Sequence, residues 1–169
     1  MNSIFRLKQA KTWKFFSLLT ASVLFAELCK AKLEADVSYW LKSIGAADHT
    51  LEKNWLDDRY DLLDKIRFAT NKRPSGVSRD DRLVLYAAGW ECFYGIAIVE
   101  SAEPREDLGE ERWPWVLDVR VPLVVPRLDL APRLSEMDVA TTSVRQQSHI
   151  RLTEDQFESA VEALTGLVE

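Results

Sequence analysis

A chain of 169 residues with 47% hydrophobic and 29% charged residues has the size and make-up of one globular domain. A formal net charge of −5 excludes nonspecific electrostatic attraction as the main source of any grip on nucleic acid. Two cysteines, Cys29 and Cys92, and two histidines, His49 and His149, exclude a disulfide framework and a zinc signature, and point to a reduced, cytoplasmic setting.

Charge divides unevenly along the chain. Residues 1–37 carry six basic residues (Arg6, Lys8, Lys11, Lys14, Lys30, Lys32) against three acidic ones (Glu27, Glu34, Asp36). The remainder therefore holds 16 basic and 24 acidic residues, a balance of −8. The basic start followed by apolar Phe15 to Ala26 imitates a secretory signal, without a small-x-small cleavage site after it. The same stretch also suits an amphipathic helix, or an upstream extension ahead of a natural start near Val37. Residues 1–37 are set apart as an N-terminal extension, and 38–169 are expected to form the domain.

Within that domain, "SYWLKSIG" predicts a first strand over 38–42, with a break at Ile44-Gly45. Leu51, Trp55, Leu62, Leu63 and Ile66 recur at mostly helical spacing and predict a helical segment between Leu51 and Ala69. A loop punctuated by Pro74 and Gly76 follows. Residues 82–88 and 93–100 read as strands apolar on both faces, as expected for a wall covered on both sides. "WPWVLDVRV" alternates and predicts a strand ended by Pro122. Residues 133–138 suit one helical turn, and "SHIRL" alternates again, with His149 and Arg151 on one face. The last helix is announced by Thr153 with Gln156 three later, and by Phe157, Val161 and Leu164 as its buried stripe. Short strands with helices near the ends predict an α+β fold, a curled sheet or open barrel.

No nucleophile elbow and no glycine-rich phosphate fingerprint is present, and the acid pairs Asp57-Asp58 and Asp80-Asp81 suit solvated or capping roles. No catalytic residue, metal or cofactor is therefore expected. Among the aromatics, Phe93 and Tyr94 are expected in the core, and Trp90, in a turn, is the most exposed of that group. Trp113 and Trp115, two apart, share a strand face and suit packing.

The order of "YWLKS" (39–43), "DDRLVLYAAG" (80–89), "FYGIAIVES" (93–101), "WPWVLDVRV" (113–121) and "RQQSHIRLTEDQF" (145–157) resembles the EVE domain family of the PUA-like superfamily, relatives of YTH domains. Where that family commonly continues Lys-Ser with Glu-Pro, Ile44-Gly45 stand here. The resemblance spans roughly residues 38–168. It implies a PUA-like open β-barrel of about five or six strands flanked by helices, without catalytic activity. It also implies a DNA or RNA partner, with a modified or flipped base held in an aromatic pocket by stacking and edge hydrogen bonds.

Carried over residue by residue, the resemblance implies a base pocket built from Trp40, Ser43 and Trp55, to which turn-borne Trp90 is added. Arg145, Gln147 and His149 would face the nucleic acid, and the local basic cluster Lys72, Arg73, Arg79 and Arg82 would meet its phosphates. The acidic balance of the domain suits a different reading, a binding module for a small heterocyclic ligand or a protein partner without nucleic acid.

Overall fold

Short stretches, some alternating and some apolar on both faces, produce one mixed seven-stranded sheet that curls until its two ends meet. The computed structural model describes residues 37–46, 50–140, 144 and 147–167, all within one compact unit, Asp36–Glu169. The extension and Arg145 lie outside the described residues. In chain order the elements are β1 (Tyr39–Ile44), a four-residue helix α1 (Trp55–Asp58), a 3-10 turn (Tyr60–Leu63) and β2 (Lys65–Phe68). Then come β3 (Arg82–Ala87), β4 (Cys92–Val99), the two-residue β5 (Arg105–Glu106) and β6 (Trp115–Val124). A second 3-10 turn (Leu134–Met137), β7 (His149–Leu152) and helix α2 (Glu154–Thr165) complete it.

The strand order is β2-β6-β4-β3-β1-β7, with β5 attached to β6. Only β1 and β3 run parallel; every other pair is antiparallel. Although β2 and β7 stand at opposite ends of this order, the Phe68 ring meets the His149 ring edge-on at 5.4 Å. The sheet is therefore an open barrel whose seam lies between β2 and β7. This is the α+β open barrel expected from the chain.

Every residue of β3 and β4 is buried, as two-faced apolar runs require. On β1 the two faces differ. Tyr39 stacks on Phe157 of α2 at 4.7 Å and Leu41 is fully buried beside it in the strand, whereas Trp40 and Lys42 point to the seam face. Helix α2 begins at the expected cap: the Gln156 amide N–H donates to the Thr153 hydroxyl, and the Gln156 side chain accepts from the Thr153 N–H.

Two expectations fail for local reasons. The helical pattern of 51–69 breaks into α1, a 3-10 turn and β2, because Arg59 leaves the helical region (φ −124°, ψ 43°) and Ile66 and Phe68 alternate inward to pair with β6. Tertiary strand pairing outweighs the helical spacing there. Pro122 does not end β6, which continues to Val124. The β4–β6 register shifts between Ile96 and Ile98, so the proline falls in an irregularity where no ladder N–H is required.

At Gly95 of β4, β6 leaves no room for a side chain: a Cβ there would lie 2.9 Å from the Leu123 carbonyl oxygen. Gly95→Ala is expected to lower stability by about 1–3 kcal/mol, read from urea unfolding of the full chain. Unchanged stability would contradict this approach of the two strands.

Candidate functional site at the barrel seam

The seam face of β1 and β7 is set by register. Trp40 pairs with Arg151 and Lys42 with His149, so these four side chains lie on the same side of the sheet. From the other end of the strand order comes Phe68 of β2, paired with Trp115 of β6. The loop 69–81, between β2 and β3, brings Lys72, Arg73 and Gly76 to the same mouth.

Trp40 is half-buried and tightly oriented. Its indole N–H donates to Asp81 Oδ2 at 2.9 Å. Asp81, only 2% exposed, also accepts from the backbone N–H of Ser38 and of Ser78, each at 2.9 Å. The Trp40 ring has His149 at 5.7 Å and the Arg151 guanidinium at 5.8 Å, and a Cβ on Gly76 would touch its edge at 3.8 Å. Gly76 takes φ +89°, a conformation glycine adopts without strain, and this lets the loop lie against the ring.

Lys42 is 4% exposed. Its Nζ donates to the Ser43 carbonyl and sits 4.6 Å from the Phe68 ring centroid. Burial without a carboxylate partner lowers its pKa from the ordinary 10.5 to about 7. Burial, reinforced by Lys42 and Lys72, also lowers the pKa of His149, whose Nδ1 lies 3.0 Å from the Ser148 hydroxyl. The mouth thus combines two half-exposed tryptophans with nearby cations, above a buried layer that holds Phe68, Lys42 and the Asp81 carboxylate. Arg73 stands 5.0 Å over Trp115, whose indole N–H donates to the Thr70 carbonyl at 3.1 Å. Such an arrangement can stack a flat ring, donate hydrogen bonds to its edge and attract negative charge. Among the described residues, no cluster of His, Cys, Asp and Glu could hold a metal ion.

The residues singled out from sequence do not all converge. Trp55 is fully buried, its N–H donating to the Val125 carbonyl at 3.0 Å and its ring 4.7 Å from Tyr94; it is core, and no base reaches it in this conformation. Trp90 lies past the far end of β3, donating to the Leu51 carbonyl at 2.8 Å, away from Trp40 near the start of β1. Ser43 is three positions from Trp40 on the same strand, so alternation turns its side chain to the opposite face. Arg82 is 4% exposed and donates to the Asp80 carbonyl at 2.8 Å, whereas exposed Arg79 donates to the Glu100 carbonyl at 2.8 Å. Lys72, Arg73 and His149 are at the mouth, and exposed Gln147 leads into β7. Phe68, Lys42 and Trp115 are the site residues that sequence reasoning did not assign. The Lys42 signal was its place two residues after Trp40, in phase with it.

Replacing Asp81 by alanine leaves three donors without their acceptor. The expected result is a loss of about 3 kcal/mol and a red-shifted tryptophan emission, measured in urea titrations. For Lys42 the sign follows from its lowered pKa. Between about pH 7 and the ordinary lysine value of 10.5 the unfolded chain binds more protons than the folded one, so stability rises with pH across that window. Lys42→Met is expected to remove this rise and to stabilise the protein at pH 7 by on the order of 2–4 kcal/mol. A rise of equal size in the variant would show that Lys42 does not cause it.

No family model matches the chain, and no curated protein matches it. Solved structures do. Atu2648 from Agrobacterium tumefaciens aligns with TM-score 0.50 and 15% identity, over 79% of this chain and 96% of that one. Rpa0253 from Rhodopseudomonas palustris aligns with TM-score 0.51 and 15% identity, over the same shares. The YTH domain of the Zygosaccharomyces rouxii MRB1 protein, in complex with N6-methyladenosine RNA, aligns at TM-score 0.48 and 12% identity, over 77% of this chain and 88% of that one. For the first two, at 15% identity, the likeness extends to the fold and no further.

Proposed function

We propose that this is a non-catalytic, EVE-type nucleic-acid-binding domain that holds one flipped or modified base of DNA or RNA at the barrel seam. The observation that carries the reading is Trp40: a half-exposed indole, fixed at its N–H by Asp81, with His149 and Arg151 beside its ring. An oriented aromatic face of this kind offers a base about 1–3 kcal/mol of stacking without any rearrangement. Trp115, half-exposed and in register with buried Phe68, offers apolar surface to a methyl group added to a base. Lys72, Arg73 and Arg151 lie where the flanking phosphates would pass, and take over the backbone role from Arg79 and Arg82. The motif order at 39–43, 80–101, 113–121 and 145–157 supports the same assignment. Two cysteines without regular spacing suit a reducing compartment, and we place the domain in the cytoplasm on that ground; among the described residues no helix is long and apolar enough to cross a membrane.

The balance of −8 on residues 38–169 favours a second reading, in which the same mouth takes a small heterocyclic ligand without a polynucleotide.

The test is tryptophan fluorescence of the full chain titrated with short single- and double-stranded oligonucleotides, DNA and RNA, unmodified and methylated. Saturable quenching that depends on the modification is expected, abolished in Trp40→Ala and retained in Trp90→Phe. Absence of any response at low salt, together with quenching by free nucleobases, would move the assignment to the small-ligand reading.

A further inference from the structure

Two indoles next to the seam each carry an arginine. Trp113 and Trp115 stand two residues apart where the chain enters β6, and both are half-exposed. The Arg112 guanidinium lies 4.4 Å over the Trp113 ring, and that of Arg73 lies 5.0 Å over the Trp115 ring. Both positions are fixed by hydrogen bonds. The Trp115 N–H donates to the Thr70 carbonyl at 3.1 Å, and Arg67 donates to the Trp113 carbonyl at 3.3 Å. The Thr70 hydroxyl donates to the Glu111 carbonyl at 2.7 Å, which ties the loop 69–81 to the chain just before Trp113. The row continues the seam. Ring contacts run from Trp40 to His149 at 5.7 Å and from His149 to Phe68 at 5.4 Å, and Phe68 is the strand partner of Trp115. On the other side, the loop passes from Arg73 to Gly76 at the edge of the Trp40 ring.

Spacing decides what such a row can hold. Pro114 keeps the residue before it extended, so Trp113 and Trp115 stand about 7 Å apart, as alternate residues of a strand do. Bases stacked in a duplex rise only about 3.4 Å per step along each strand. A partner that lays one base on each ring must therefore have its bases parted, which a single strand allows and a paired duplex resists. Charge argues the same way. Arg67 is bound to Asp107 at 2.7 Å, the exposed Glu106 is the β5 partner of Trp115, and the exposed Glu111 precedes Arg112. Arg73 and Arg112 can meet one line of phosphates, whereas the second line of a duplex would run among these acids.

We propose that the Trp115–Arg73 and Trp113–Arg112 pairs form a second binding site, a stacking track for the nucleotides next to the base held on Trp40, and that the partner of this domain is therefore a single strand. The inference rests on the base-binding reading given above and extends it to a substrate class. Each pair offers one nucleotide a flat aromatic surface for its base and a guanidinium for its phosphate. Stacking of this kind is indifferent to sequence. The track adds affinity for the strand, and selection of the base is left to Trp40 and its surroundings.

The experiment is fluorescence anisotropy of labelled oligoadenylates and oligocytidylates, DNA and RNA, of one to six nucleotides, titrated with the full chain at low salt. Each is used with and without one methylated base, and beside a duplex of the same sequence. Affinity is expected to climb about tenfold with each of the two nucleotides added to the first and then to level off. Duplexes should bind at least about tenfold more weakly than the matching single strands. Trp113→Leu and the surface change Arg112→Gln should each flatten the dependence on length and leave mononucleotide affinity unchanged. Length dependence that survives in both variants, or duplexes bound as tightly as single strands, would overturn the proposal. Mononucleotide binding that needs Trp40 but gains nothing from added nucleotides would remove the track and keep the base pocket. Failure of the base-binding reading looks different: mononucleotides would not bind and Trp40→Ala would be silent, while longer strands still bound through Trp113. Absence of binding at every length would overturn both.

Discussion

Three donors converge on one buried carboxylate, and the geometry of the seam depends on that convergence. Asp81 binds the start of β1 through Ser38, the indole of Trp40, and the end of the 69–81 loop through Ser78. It thereby joins the parallel strand pair β1–β3 to the loop that covers the mouth. A single acid sets the direction of β1, the rotation of its tryptophan and the closure of a long connection. Its two oxygens accept all three of these hydrogen bonds, one on Oδ1 and two on Oδ2.

The curl of the sheet supplies the rest. Because β2 and β7 end a six-strand path, an aromatic from one terminus and a histidine from the other come into contact only when the sheet bends fully. Side chains that would be unrelated on a flat sheet become neighbours. Lys42 is forced between them, out of water, and the fold tolerates this in a domain whose total charge is negative. Stability here has been exchanged for a concentrated local field, an arrangement typical of binding sites and unusual in inert cores.

Much of the fold was legible in the amino-acid pattern. The runs around β3 and β4, the alternation of β6 and β7 and the Thr153–Gln156 cap are local signals, and each matched an element. The helix expected over 51–69 was misread because four residues of β2 carry too short an alternation to outweigh a longer 3.6-residue rhythm. The site was only partly legible. Trp40 and the His149–Arg151 face were visible in the strand pattern, but Trp55 and Trp40 look alike in sequence and differ only in what the tertiary fold lays over them. Ser43 could have been excluded from its phase in the strand. Phe68 could not have been found, because its nearness to His149 arises from closure of the barrel and leaves no mark at any single position, and Trp115 joins the site only as the strand partner of Phe68.

Strand β1 is held between β3, some forty residues downstream, and β7, more than a hundred residues downstream. During synthesis, the strand bearing Trp40 and Lys42 therefore waits for almost the entire chain before its second edge is covered. Such long-range closure slows folding and leaves an unpaired strand edge exposed in every intermediate that lacks the C-terminal segment. The seam is consequently completed only once the C-terminal segment has been made. A nascent or truncated chain that ends before β7 would present that edge to chaperones and proteases, with no working mouth.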